Sequence, residues 1–403
     1  MIAGPPGYLR CMEQGEARYE QVDEQIGKLE QRLWDVAMAL YDNPEVAFEE
    51  HAAARRLTEE LVRDGFEVSH GVAGLETDFV AHAGAGRPCV ALLLEYDALS
   101  GLGHASGHNL IAAAGLGAAL AAKAVLGDDA GTILAVGSPA EEHGGGKVIQ
   151  VEAGVFDDVD AALIVHPAAH SWSWAPLTAS MELRVRFHGR SGHGEHAVDA
   201  LAALIQMFTA VAALRPRLPA GAYVQGIITE GGQSTSMVPD FAEGRFGLCA
   251  PTTAVLDRLA VDVTACAEAA ALATAAKADV ERVGRAYAHF RDNPVLSQRF
   301  TEHLAAWEIH ATPPEPGVFL GSSDIGNVSI TVPAINPLVA ITIPEQPDRT
   351  PEFAAAAASP RGRSVMLAAA AALARTTVDL LTHPALVSRA WDCFSDQARR
   401  ELR

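Results

Sequence analysis

Four short apolar runs constrain this chain most: residues 89–94, 132–136, 161–165 and 339–343. None alternates apolar with polar, so each reads as a strand covered on both faces. Helical stretches at 108–126 and 145–153 lie between them. Two more helices precede them. In the first, Ile26, Leu29, Leu33, Val36 and Leu40 recur at spacings of three and four, up to Asp42-Asn43-Pro44. The second spans 49–65, with Leu57 and Leu61 on one face. Strands alternating with helices predict an α/β fold with a mainly parallel sheet. The texture changes near residue 180. An alternating segment at 181–187 is followed by a helix at 197–213, strands at 223–229 and 243–248, a helix at 254–272 and a strand at 279–284. This β-α-β-β-α-β order is ferredoxin-like. Residues 181–290 therefore read as a second domain inserted into an α/β domain made of 1–180 and 291–403, which ends with a helix at 363–381.

Composition excludes several function classes. The chain has 403 residues and a formal net charge of −20, with four lysines. A surface that acidic repels phosphate backbones and anionic lipid, which argues against nucleic-acid and membrane partners. The Ala-rich stretch 110–126 comes closest to a membrane span, and Lys123 interrupts it. Five cysteines are scattered without a C-x-x-C pair, and the first twenty residues contain no apolar signal core. Both features fit a cytoplasmic protein.

The polar residues gather at the C-terminal ends of the expected strands, where open α/β sheets place their sites. Glu95-Tyr96-Asp97-Ala98-Leu99 and Gly103-His104-Ala105-Ser106-Gly107-His108-Asn109 follow the first run, and Pro139-Ala140-Glu141-Glu142-His143 the second. His166-Pro167 follows the third, and the fourth leads to Arg349. Three strand ends thus present His108, Glu142 and His166, a ligand set suited to zinc or manganese. Glu141 is a candidate general base toward water at that ion. Taken singly, each residue has a plainer explanation: a hydrogen-bonded strand-end His, or a Glu pair opening a helix.

These segments resemble the co-catalytic metal aminoacylase and carboxypeptidase family. The likeness is to its amidohydrolase branch of p-aminobenzoyl-glutamate hydrolases, auxin-conjugate hydrolases and dipeptidase-like members. It runs from about residue 22 to 382 and includes Asn43-Pro44-Glu45, Gly231-Gly232, Val238-Pro239-Asp240, Ala250-Pro251-Thr252 and Thr350-Pro351-Glu352-Phe353. The resemblance implies that 1–180 and 291–403 form a catalytic α/β domain and 181–290 a lid and dimerisation domain, and it implies a homodimer and a small N-acyl amino acid or dipeptide-like substrate. It implies that Asp97 orients a ligand imidazole. It also implies that His193, with His196 as competitor, reaches the partner's site and polarises the substrate carbonyl. Two ligand positions depart from the pattern: Ser106 stands where the branch has Cys, and Arg349 where it has His. A serine hydroxyl ligates poorly and an arginine cannot. Asn336, Ser236 and Cys249 are further departures, the first two being candidate substrate contacts together with Ser106 and Arg349.

Two enzymatic readings follow. In one, His108, Glu142 and His166 hold one ion rather than two, and Glu141 serves hydrolysis as general acid and base. In the other, Arg349 replaces metal charge and the fold runs metal-independent cyclisation, amide formation or proton transfer. A non-enzymatic binding protein sits poorly with an adjacent Glu141-Glu142 pair. Ser106 as a covalent nucleophile lacks the G-x-S-x-G setting.

Overall fold

The computed structural model describes residues 6–128, 130–192 and 196–401. In chain order the elements are α1 (Pro6–Asp42), α2 (His51–Arg63), β1 (Glu67–His70), β2 (Phe79–Gly84), β3 (Cys89–Glu95), α3 (His108–Leu126), β4 (Thr132–Ser138), α4 (Gly146–Glu152), β5 (Ala161–Leu163) and β6 (His166–Ala168). There follow β7 (Ala179–His188), α5 (Ala200–Leu214), β8 (Tyr223–Glu230), β9 (Phe241–Ala250), α6 (Thr253–Thr274) and β10 (Lys277–Tyr287). The chain closes with α7 (Pro294–Ala305), α8 (Ile325–Ser329), β11 (Ala334–Ile335), β12 (Leu338–Ala340), α9 (Pro351–Ala357), α10 (Pro360–Thr382) and α11 (Pro384–Glu401).

The chain forms two compact units. The first comprises residues 1–175, 291–314 and 327–403, the second 176–290 and 315–326. Residues 315–326 therefore cluster with the inserted segment, whereas the sequence pattern assigns them to the catalytic domain. Leu320 N–H donates to Pro176 O at 2.9 Å and Thr178 N–H to Gly321 O at 3.0 Å, which ties that loop to the start of β7.

The first unit is built on a six-stranded sheet ordered β1-β2-β4-β3-β5-β11. Strands β4, β3, β5 and β11 are mutually parallel, with Cys89 opposite Thr132 and Ala162 opposite Ala334. Strands β1 and β2 add an antiparallel edge that the apolar runs do not announce, because β2 alternates buried and open positions. The run 161–165 is not one strand. Only Ala161–Leu163 of it forms β5; β6 begins beyond it at His166 and pairs with β12 in a separate parallel ribbon. Every residue of β3 is buried, as a strand covered on both faces requires.

Helices α1, α3 and α10 pack against one another. The Ala-rich faces of α3 and α10 allow close approach, and a Cβ on Gly117 of α3 would sit 2.6 Å from Leu33 Cδ1 of α1 and 3.2 Å from Ala370 Cβ of α10. Helices α3 and α10 are long and apolar enough to cross a membrane. Here 78% and 94% of their most apolar windows are buried in this core, which accounts for their composition.

In the second unit an antiparallel sheet runs β10-β7-β9-β8, with α5 and α6 sharing its core. Strand β9 alternates strictly, its buried Phe246 standing opposite Leu183 of β7 and its buried Leu248 opposite Met181. Asp199 caps α5 by accepting from Ala202 N–H, and Thr252 caps α6 by accepting from Val255 N–H.

Candidate active site

The site lies in the first unit, where three strand ends and one late turn meet. Strand β3 ends at Glu95, and the chain turns through Asp97 and Gly103 into α3. Gly107, with φ +78°, precedes that helix. A Cβ there would lie 3.0 Å from ring carbons of Pro167, so glycine lets the helix start approach the His166-Pro167 segment. His108 thereby becomes the first residue of α3, its ring centroid 6.0 Å from that of His166.

The turn carrying Glu141 and Glu142 is clamped from below. Glu50 accepts from Ala140 N–H at 2.8 Å, Phe48 N–H at 2.9 Å and Thr77 Oγ1 at 2.7 Å. Ala140 is held at φ +59°, a conformation that a residue with a Cβ adopts only under constraint. A Cβ on Gly146 would sit 1.9 Å from Pro139 O, so the tight turn into α4 depends on glycine. That turn buries Lys147 completely.

Asp97 ties the parts together. Its Oδ1 accepts from His108 Nδ1 at 2.9 Å, and its Oδ2 accepts from Glu142 N–H at 2.9 Å. His166 Nδ1 donates to Pro167 O at 2.7 Å. With both Nδ1 atoms committed as donors to oxygen, Nε2 is the ring nitrogen left for other contacts. His108 Nε2 lies 3.6 Å from Glu95 Oε2, 3.7 Å from Glu141 Oε2 and 3.9 Å from Glu142 Oε1. Glu95 Oε1 pairs with Lys147 Nζ at 2.6 Å. Two triads each bring ligand atoms within 4.8 Å of one another: Glu95, His108 and His166; and His108, Glu141 and Glu142.

Burial alone penalises every charge here, and the neighbours overcome it. Burial pushes the His108 pKa down, but Asp97, Glu95 and Glu141 together raise it well above the ordinary value. Burial pushes the Glu95 and Asp97 carboxyls up. Lys147, His108 and His166 hold Glu95 below its ordinary value, and His108 with the Glu142 N–H does the same for Asp97. The centre is thus an electronegative pocket that favours a bound positive charge.

Arg349, at φ +60° in the turn before α9, anchors its N–H on Ala105 O at 2.9 Å. Its Nη2 meets Glu142 Oε2 at 2.7 Å, while the Ser106 hydroxyl donates to Glu142 Oε1. One oxygen of Glu142 thus accepts a hydrogen bond from Ser106 and the other faces the Arg349 guanidinium.

Residues 93–372 match the family described as peptidase family M20/M25/M40. The chain belongs to this family. A Xaa-Arg dipeptidase of Mus musculus is 34% identical over 384 residues, covering 90% of this chain and 89% of the mouse protein. A p-aminobenzoyl-glutamate hydrolase chain of Escherichia coli K12 is 34% identical over 312 residues, covering 71% of this chain and 65% of that protein. Two solved structures share the fold. An aminobenzoyl-glutamate utilization protein from Klebsiella pneumoniae superposes with a TM-score of 0.67 at 19% identity, covering 90% of this chain and 99% of that one. The Bacillus subtilis YXEP protein, described as a dinuclear metal binding peptidase, superposes with a TM-score of 0.64 at 18% identity, covering 85% and 98%. As an M20 member this chain is a hydrolase, and its family is one of metal-dependent peptidases.

In this M20 hydrolase the residues singled out from the sequence fall in different places. Asp97, Ser106, His108, Glu141, Glu142, His166 and Arg349 converge as described. Asn336 is buried in the same unit, and its Oδ1 has no hydrogen-bond partner among the described residues. Ser236 is exposed in the second unit, with its hydroxyl 2.8 Å from that of Ser234. His193 lies outside the described residues. Sequence reasoning gave no role to Glu95, Lys147 or Glu50. The available signals were a carboxylate ending a wholly apolar strand, and a lysine opening an apolar helix after three glycines.

Proposed function

We propose that this chain hydrolyses the amide bond of a dipeptide or N-acyl amino acid, with Glu141 as general acid and base. One observation carries this reading. Glu141 stands in a turn over-determined by Glu50, with its Oε2 3.7 Å from His108 Nε2, at the rim of the two imidazoles and within reach of a water lodged there. His108 and His166, with a carboxylate completing the set, would hold a zinc or manganese ion. Their donor types suit it, and His108 Nε2 and Glu95 Oε2 are buried polar atoms with no hydrogen-bond partner among the described residues. When bound, such an ion polarises the amide carbonyl and makes water a stronger acid. Glu141 takes the proton from water and returns it to the leaving amine. Asp97 fixes the His108 ring through Nδ1, and Arg349, half-exposed beside Glu142, is placed to receive a substrate carboxylate.

The names of the relatives support the substrate class: a Xaa-Arg dipeptidase and a p-aminobenzoyl-glutamate hydrolase. Ser106 and Asn336, both in the first unit, complete the proposed substrate contacts there. The chain is proposed to act in the cytoplasm as a homodimer, His193 of one copy serving the other. The exposed edge strand β8, with Tyr223, Ile227 and Ile228 open, is a suitable seam. The test is a panel of dipeptides and N-acyl amino acids assayed with Glu141→Gln. The expected loss in kcat is about 100- to 10,000-fold with the fold intact. An unchanged kcat removes Glu141 from the mechanism.

The Arg349–Glu142 pair favours a second reading, in which a fixed guanidinium supplies the charge and the reaction is cyclisation, amide formation or proton transfer. Turnover of an amine and an acid, or of a cyclisable substrate, undiminished by a chelator would select it.

A further inference from the structure

We propose that this chain holds a single divalent cation between Glu95 Oε2, His108 Nε2 and the His166 imidazole, with Glu142 excluded from the ligand set. The proposal rests on the metal-dependent reading of the same site and names its ligands.

Four observations lead to it. Glu95 and His108 are 2% and 1% exposed, and Glu95 Oε2 and His108 Nε2 have no hydrogen-bond partner among the described residues. Buried polar atoms without hydrogen-bond partners are uncommon, and two of them 3.6 Å apart are what a cation satisfies, the ion taking the place of any proton on Nε2. Two ligands each about 2.1 Å from a tetrahedral ion sit about 3.4 Å from one another, so that separation fits without rearrangement. Each ligand is also oriented by a second contact: His108 by Asp97, His166 by Pro167 O and Glu95 by Lys147, the support that ligating groups commonly have.

Glu142 differs in its counter-charge: its Oε2 also lacks a hydrogen-bond partner among the described residues, but a guanidinium already faces it. Ser106 holds one oxygen, and Arg349 holds the other at 2.7 Å. A cation on either oxygen would displace one of these contacts and face the guanidinium. The charge balance agrees. Four carboxylates (Glu95, Asp97, Glu141 and Glu142) surround His108, against the two fixed cations Lys147 and Arg349. The surplus of two negative charges equals one divalent ion and falls short of two.

The full chain, stripped with a chelator and then titrated with Zn2+, gives the test by elemental analysis, calorimetry and X-ray absorption. The expected result is one zinc per chain with two imidazole nitrogens in its shell. Glu95→Gln weakens zinc at least 100-fold, whereas Glu142→Gln changes zinc affinity less than threefold. Because Glu95→Gln leaves Lys147 without its counter-charge, the double variant Glu95→Gln/Lys147→Met is measured beside it and shows the same loss. Two zincs per chain, none at 1 mM Zn2+, or a loss of zinc in Glu142→Gln but not in the double variant overturns the proposal. The two readings fail separately. One zinc bound through Glu95 in a chain that cleaves no amide on the panel sinks the hydrolase assignment and leaves the site standing.

Discussion

Replacing Lys147 by Met tests the buried electrostatics most directly. The ammonium is fully buried, and its Nζ lies 2.6 Å from Glu95 Oε1, a carboxylate that is itself 3% exposed. Methionine keeps the length and most of the volume of the stem, so the packing change is small. What is lost is the charge that holds Glu95 ionised against burial. Removing one partner of a buried pair costs about 3–5 kcal/mol, because the other charge is left unpaired. For a unit of this size each kcal/mol moves the melting temperature by about 2–4 °C, so the metal-free protein should melt roughly 6–20 °C lower. Scanning fluorimetry in chelator measures this. Glu95→Gln should cost a similar amount, and the double variant should melt higher than the sum of the two losses allows, with a coupling of about 2 kcal/mol or more. A drop below 3 °C in Lys147→Met, or strict additivity in the cycle, refutes the claim that these two charges form one buried unit.

Two further predictions concern pH. His104 is buried with its Nε2 3.1 Å from Leu40 O, and burial, with His108 adding to it, pushes its pKa down to about 4. Its folded value lies below its unfolded one of about 6.5, so its stabilising effect is complete above pH 6.5 and is lost as pH falls toward 4, by about 3 kcal/mol in all. The urea midpoint of His104→Gln should depend less on pH between 7 and 4.5 than that of the wild type, and an equal slope in both would contradict this. Asp292, which accepts from the Ser297 hydroxyl, is pushed by burial up to about 7. Its folded value lies above the unfolded one, so keeping it costs stability increasingly from pH 4 to 7, up to about 4 kcal/mol. Asp292→Asn should raise the urea midpoint at pH 8 and leave it nearly unchanged at pH 4, and a gain equal at both pH values would contradict the assignment.

The parallel core of the first unit was legible because β3, β4 and β5 are short, apolar and unalternating, and because each ends in polar residues. The antiparallel edge was not. Strand β2 has the pattern of a half-covered strand, and only its register against β4 shows where it belongs. The strands and helices of the second unit were legible, since β7 and β9 alternate and their order with α5 and α6 is distinctive, but residues 315–326, which cluster with it, carry no pattern that assigns them there. Within the site, residues adjacent to motif glycines could be found by spacing: His108 after Gly107, Glu141 and Glu142 before the glycine run. Glu95 and Lys147 are 52 positions apart in the sequence, and no local pattern pairs them. Their partnership exists only because the turn at Gly146 carries α4 back across the end of β3.

Ser106 and Arg349 form one physical unit, since they meet the two oxygens of the same carboxylate, Glu142. The resemblance to the amidohydrolase branch places a cysteine and a histidine at these positions, in a site for two ions. Exchanging a thiolate for a hydroxyl removes one negative charge. Exchanging a neutral imidazole for a guanidinium adds one positive charge. Together they supply the charge of one divalent ion, so the pocket can give up an ion without changing its balance. The reverse exchange should therefore restore the second site. Ser106→Cys/Arg349→His is expected to bind two zincs per chain, and the second should be lost when Glu142→Gln is added to it. Each single change leaves the balance short by one charge and should bind the second zinc at least tenfold more weakly than the double variant does. Elemental analysis of the four chains after zinc dialysis reads this directly, and a double variant that still holds one zinc would show that Arg349 does not stand in for an ion.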